Sequence, residues 1–185
     1  MATATKTELM TAEEFMAADL GDGTFELVRG EVVEMAPPMP EHGRVQVNVA
    51  FVLELFGRQT GYGYCLSESG VLTERGPDTV RGPDVCFYSH ARWPRDQVGN
   101  SLPPVPPDVA VEVVSSGNRP GAIFKKVSEY LEVGVALVWV VYPRRRQVMI
   151  YRATEDEIIS LHENDVVENL PELPGFRCSV SDFFV

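Results

Sequence analysis

Apolar and polar residues alternate in two rhythms along this chain, and each change of rhythm marks an element. From Glu41 to about Arg58, Val45, Val49, Val52, Leu53 and Phe56 recur at helical spacing and predict one long helix with a single buried stripe. Before it, Thr11 reads as the cap of a short helix, with Glu14 as its box partner and Met10 and Phe15 as a hydrophobic staple. The stretch Phe25–Met35 reads as a hairpin turning at Arg29-Gly30. Pro37, Pro38 and Pro40 then break the chain. Short strands are expected near Gly63–Cys65, Gly70–Thr73 and Val85–Tyr88, the last opened by Pro83-Asp84. Residues 89–107 hold five prolines and predict a long surface loop.

The clearest unit begins at Asp108. Val109–Val114 is β-branched and predicts a strand. A turn follows at 115–118, then a helix over about Pro120–Val133 stopped by Gly134. A buried strand, Ala136–Tyr142, comes next. Strand, helix and strand of these lengths imply a parallel pair. Further strands are expected at Gln147–Ala153 and Glu157–His162, and a short helix or turn at Ser179–Phe184. The predicted class is α/β, with a loose tail over residues 1–9 and a single domain over 10–185.

Composition narrows the function classes. The 185 residues suit one domain, and 44% apolar with 23% charged is ordinary for a globular chain. The longest apolar run, Val133–Tyr142, is about half of what a bilayer demands, so no membrane association is expected and a cytoplasmic location is. Cys65, Cys86 and Cys178 are scattered and odd in number, which disfavours structural zinc and a disulfide frame. A net charge of −11 argues against a protein that coats nucleic acid. The distribution softens this, because residues 75–146 carry ten Lys/Arg against seven Asp/Glu, and the flanks six against twenty.

The basic segment also holds the candidate chemistry. Glu112 stands in a strand otherwise made of Ala and Val, where a lone carboxylate is costly unless paired or bound to a cation. Asp108 shares its face but lies about 13 Å along the strand, too far for one ion, whose ligands stand roughly 4 Å apart. A neighbouring strand is only about 4.8 Å away, which favours Asp84. Lys126 falls at the edge of the helix stripe Ile123, Val127, Tyr130 and Leu131, and can reach toward Glu112; Lys125 points to solvent. The competing readings are a structural ion pair at Glu112, for instance with an arginine, and a lysine that merely flanks the core.

Pro83-Asp84, Glu112-Val113-Val114 and Lys126 together resemble the PD-(D/E)xK nuclease pattern with a displaced lysine. The chain more closely resembles the Uma2 family of restriction-endonuclease-like nucleases. The resemblance is carried by Phe25-Glu-Leu-Val-Arg-Gly-Glu, Pro40-Glu-His-Gly, Arg81-Gly-Pro-Asp, Asp108-Val-Ala-Val-Glu-Val-Val-Ser and Lys126-x-x-x-Tyr130 with Gly134 and Trp139, across about residues 8–184. It implies a restriction-endonuclease-like core, a mixed β-sheet flanked by helices. It implies Mg²⁺ or Mn²⁺ held by Asp84, Glu112 and the Val113 carbonyl, with Lys126 replacing the usual lysine at Val114. The implied reaction is hydrolysis of DNA phosphodiester bonds, and the implied assembly a homodimer or higher homo-oligomer, with the 89–107 loop as one contact surface. His42 and Glu26 match recurring family positions. His42 is either a phosphate or supporting contact or a plain helix-start residue. For Glu26 a hairpin surface position is favoured over a supporting acid. Two departures stand out: Gly121 and Ala122 where an acid is common, and Tyr142 where an aspartate is common. A non-catalytic nucleic-acid-binding module and an oligomerisation protein are the alternatives.

Overall fold

The computed structural model describes residues 9–115, 117, 119–153 and 158–185. Along the chain come α1 (Ala12–Ala17), β1 (Thr24–Val28), β2 (Glu31–Met35), α2 (Pro40–Thr60), β3 (Gly63–Ser67), β4 (Val71–Glu74), β5 (Thr79–Arg81), β6 (Val85–Ser89), β7 (Val109–Val113), α3 (Pro120–Glu132), β8 (Leu137–Tyr142), β9 (Gln147–Arg152), β10 (Ile159–His162), β11 (Val166–Val167) and β12 (Cys178–Ser179). Among the described residues three sheets result, one six-stranded, one four-stranded and one two-stranded, in the orders β10-β9-β8-β7-β6-β3, β2-β1-β5-β4 and β11-β12. In the largest, only β7 and β8 run parallel, joined by α3. The expected strand–helix–strand unit is therefore present.

Side chains alternate between the two faces of the large sheet, and its central strands β6, β7 and β8 are buried on both. Val85, Phe87, Val109, Val111, Trp139 and Val141 face α2 and the C-terminal segment, where Leu173, Phe176 and Phe183 close the core. Cys86, Tyr88, Ala110, Val138 and Val140 face α3 through Ile123, Val127 and Tyr130. The helix–sheet approach is tight at Gly57, where a β-carbon would collide with the Gly63 carbonyl. On its other side α2 leaves Val47, Phe51 and Leu55 exposed.

The local expectations hold with small shifts. Thr11 and Glu14 form the reciprocal capping box. The hairpin closes at Val28↔Glu31, with positive φ at Arg29 and Gly30 as a two-residue turn requires. Residues 180–184 form a short 3-10 helix. Residues 89–107 carry one 3-10 turn, Arg95–Gln97, and anchor through buried Trp93. The Glu157 start expected for β10, positions 116 and 118 of the expected turn, and residues 1–8 of the expected tail lie outside the described residues.

Three strands were not expected: β5 and the two-residue β11 and β12. β5 is three residues long and buried throughout, and it completes a second sheet with the hairpin. Only Gly82 and Pro83 separate it from Asp84 and β6, so the small sheet is tied to the large one beside the candidate site. No helix among the described residues is long and apolar enough to cross a membrane.

Candidate active site

The register of β6 against β7 explains why Asp84 and Glu112 meet. Val85 pairs with Val111 and Cys86 with Ala110 in antiparallel order. One step further sets Asp84 opposite Glu112, both on the α3 face with Cys86 and Ala110. Asp84 accepts a hydrogen bond from the Val113 amide through Oδ2. Its Oδ1 lies 3.0 Å from His42 Nε2, and Gln46 donates to its backbone carbonyl at 3.0 Å. The first turns of α2 thus fix Asp84 from the far side.

Glu112 is 5% exposed, with three partner contacts. Lys126 Nζ stands 3.2 and 3.1 Å from its two oxygens, and the Tyr130 hydroxyl donates to Oε1 at 2.7 Å. Lys126 and Tyr130 are four residues apart on α3, hence on one helix face. Lys125 is 54% exposed and pairs with Glu129, pointing away from Glu112 as its helical angle predicts. Asp108 is engaged elsewhere, by the Ser89 amide and Arg92, consistent with its exclusion.

Glu26 corrects the favoured surface reading. It is 3% exposed and lies in the site. Lys126 Nζ approaches its Oε1 at 2.8 Å, Arg81 Nη1 donates to Oε2 at 2.8 Å, and the Gly82 amide donates to Oε1 at 3.2 Å. The hairpin pattern misled because the covering groups come from β5 and α3, far away in sequence. Arg81 continues to Glu129 at 2.6 and 3.0 Å, so one network runs from Glu112 through Lys126, Glu26 and Arg81 to α3 again. Sequence reasoning missed Arg81, Tyr130 and Gln46. Tyr130 had a usable signal, its i+4 spacing from Lys126; Gln46 had none, standing in a helix stripe of valines.

Burial decides the ionisation of these groups. Desolvation pushes Glu112 up to about 7, against the pull of the Lys126 ammonium, while the Asp84 charge adds to the rise. Desolvation also pushes Glu26 upward, but Lys126 and Arg81 together outweigh it and hold the carboxyl below its ordinary range. For Lys126 desolvation works against the charge, and the two carboxylates overcome it. The bond to Asp84 raises His42 despite burial. The cysteines lie partly or wholly buried, and desolvation pushes their thiols far up, which makes them inert.

The raised Glu112 has a consequence for stability. The folded chain binds a proton there that the unfolded chain releases, so its contribution is full below the ordinary 4.5 and is lost as pH rises through about 7. In chelator, wild type is expected to lose thermal stability relative to Glu112→Gln as pH climbs from 4.5 to 7. Parallel curves for the two proteins would contradict the assignment.

The donors suit a hard divalent cation, since they are oxygens from two carboxylates on adjacent strands with the Val113 carbonyl as neighbour, and Mg²⁺ keeps waters in its remaining positions. Among the described residues no group of three or more His, Cys, Asp or Glu side chains is disposed to hold a metal, so any such ion would rely on the carbonyl and on water. A cavity of about 430 Å³ opens over Asp84, Glu112, Glu26, His42 and Lys126.

The crystal structure described as "a putative nuclease belonging to DUF820", from Anabaena variabilis ATCC 29413, is similar with a TM-score of 0.80 over 95% of this chain and 97% of that one, at 19% identity. That likeness establishes the fold, an α/β arrangement with a mixed sheet flanked by helices. No curated protein matches. The profile of the Uma2 family, described as "Putative restriction endonuclease", matches residues 12–181, and the chain belongs to that family.

Proposed function

We propose that this protein is a Mg²⁺- or Mn²⁺-dependent endonuclease that hydrolyses DNA phosphodiester bonds. The observation that carries the reading is the juxtaposition of Asp84 and Glu112 on one sheet face with an ammonium, Lys126, in contact with Glu112. Asp84, Glu112 and the Val113 carbonyl are the groups that would hold the ion. When bound, such an ion acidifies a water and offsets charge on the scissile phosphate.

The chain's own residues do the positioning. Lys126 offers a proton donor where charge develops as water oxygen attacks phosphorus and the ester P–O bond breaks. Glu26, itself held by Arg81, anchors Lys126 on its far side, and Tyr130 fixes the Glu112 carboxyl. His42 and Gln46 hold Asp84. These five are positioning residues in this reading. The expected homo-oligomer has two candidate contacts, the 89–107 loop, exposed over residues 95–101, and the exposed α2 stripe of Val47, Phe51 and Leu55.

Nicking of plasmid DNA by the purified chain in Mg²⁺ or Mn²⁺, abolished by chelator and restored by adding the ion back, is the expected result. Cleavage that persists in chelator would overturn the metal-dependent reading. One observation favours a second, structural reading: Lys126 is held by two carboxylates at once. There the carboxylates only pair with lysine, and the melting temperature is indifferent to added Mg²⁺ or Mn²⁺.

A further inference from the structure

The catalytic reading uses only the polar half of the 430 Å³ cavity. The other half is apolar, with Phe15, Phe25, Met35 and Met39 among its walls. Met39 is 62% exposed at the mouth, just ahead of α2. A sugar–phosphate backbone has no use for such a wall, but a nucleobase does, because bases stack on aromatic rings and pack against soft thioethers.

A second cavity of about 260 Å³ adjoins the first, sharing Met39, His42 and Ser115 with it. Its far rim carries Arg144 and Arg145, both exposed, with Glu41 as the one acidic residue lining it. The Arg145 guanidinium stands 5.6 Å over the Tyr142 ring, which holds it toward the trough.

In a duplex the bases are stacked and paired inside, and a base reaches a wall beside the cleaved phosphate only when it is unpaired or swung out. Glu112 lies deep, at 5% exposure, beneath a cavity of one-nucleotide size. We propose that the substrate strand enters unpaired, with one base against Phe25, Met35 and Met39 and a neighbouring backbone phosphate on Arg144 and Arg145. This rests on the nuclease reading of the carboxylates and adds the form of the substrate and the path of its strand.

The test uses a labelled single-stranded DNA oligonucleotide and the same sequence as a blunt duplex. Binding is measured in Ca²⁺ and cleavage in Mn²⁺, for wild type, Met39→Ala and Arg144→Ala/Arg145→Ala, whose altered side chains are all exposed. Wild type is expected to prefer the single strand by about tenfold or more, and Met39→Ala to weaken it about fivefold. The double arginine variant is expected to lower the slope of log affinity against log salt by about 0.7, the value for one phosphate contact on a single strand. A duplex bound and cut as well as the single strand would overturn this inference and leave the nuclease reading standing. A single-strand preference unaffected by all three substitutions would overturn the proposed path. Neither binding nor cleavage of either DNA would overturn both readings together.

Discussion

Lys126→Met is expected to lower the stability of the folded chain by about 3 kcal/mol at neutral pH and to reduce cleavage by about a hundredfold or more. The stability estimate sits at the low end for a broken buried ion pair, for two reasons visible in the contacts. Glu26 keeps Arg81 and the Gly82 amide after the ammonium is gone. Glu112, already pushed up to about 7, keeps the Tyr130 hydroxyl and takes up a proton rather than remaining charged. For a chain of this length the change corresponds to a melting temperature lower by roughly 6–12 °C. Lys126→Met combined with Glu112→Gln is expected to be less destabilised than the two single changes added, because the pair is removed as a pair. Strict additivity would mean that Lys126 and Glu112 do not stabilise each other. The catalytic loss is separable from the stability loss by assaying well below the variant's melting temperature. A folded Lys126→Met protein that nicks DNA at the wild-type rate would remove the lysine from the chemistry.

The reasons why parts of this site are legible in the sequence, and others not, are physical. Glu112 announces itself because a carboxylate in a run of valines needs a partner; its hydrogen-bonding partners come from α3, while the neighbouring strand sets Asp84 beside it. Lys126 follows from the helix angle, since one position on α3 faces the sheet and the next faces water. Those are local rules, and the geometry obeys them. Glu26 and Arg81 obey no local rule. β5 is too short for a periodic pattern, and its Arg-Gly-Pro ending reads as a loop. What buries both is contact between residues 26, 81, 126 and 129, set by how the small sheet meets α3. Tyr130 was legible as core and illegible as a donor, because its ring packs with Val127 and Ile123 while its hydroxyl reaches Glu112. The fold class was the more accessible part, since the βαβ unit and the long helix carry their own periodicity and a family resemblance spans nearly the whole chain.

The second large effect concerns the metal. In the proposed site Asp84 and Glu112 are the two carboxylates that would share one ion, and the charge of Asp84 already disfavours ionisation of Glu112. A divalent cation relieves that repulsion, so binding should ionise Glu112 and release a proton at neutral pH. Asp84→Ala/Glu112→Ala removes both donors and leaves Lys126 with Glu26. The loss of binding should be complete, because the Val113 carbonyl and water alone do not hold Mg²⁺ or Mn²⁺ against solvent.

The most direct test is therefore a calorimetric titration of Mn²⁺ into wild type and into Asp84→Ala/Glu112→Ala, each shown to be folded. The account predicts saturable binding to wild type and none to the double variant. Silence from both proteins, or equal binding by both, would contradict a metal centre at Asp84 and Glu112.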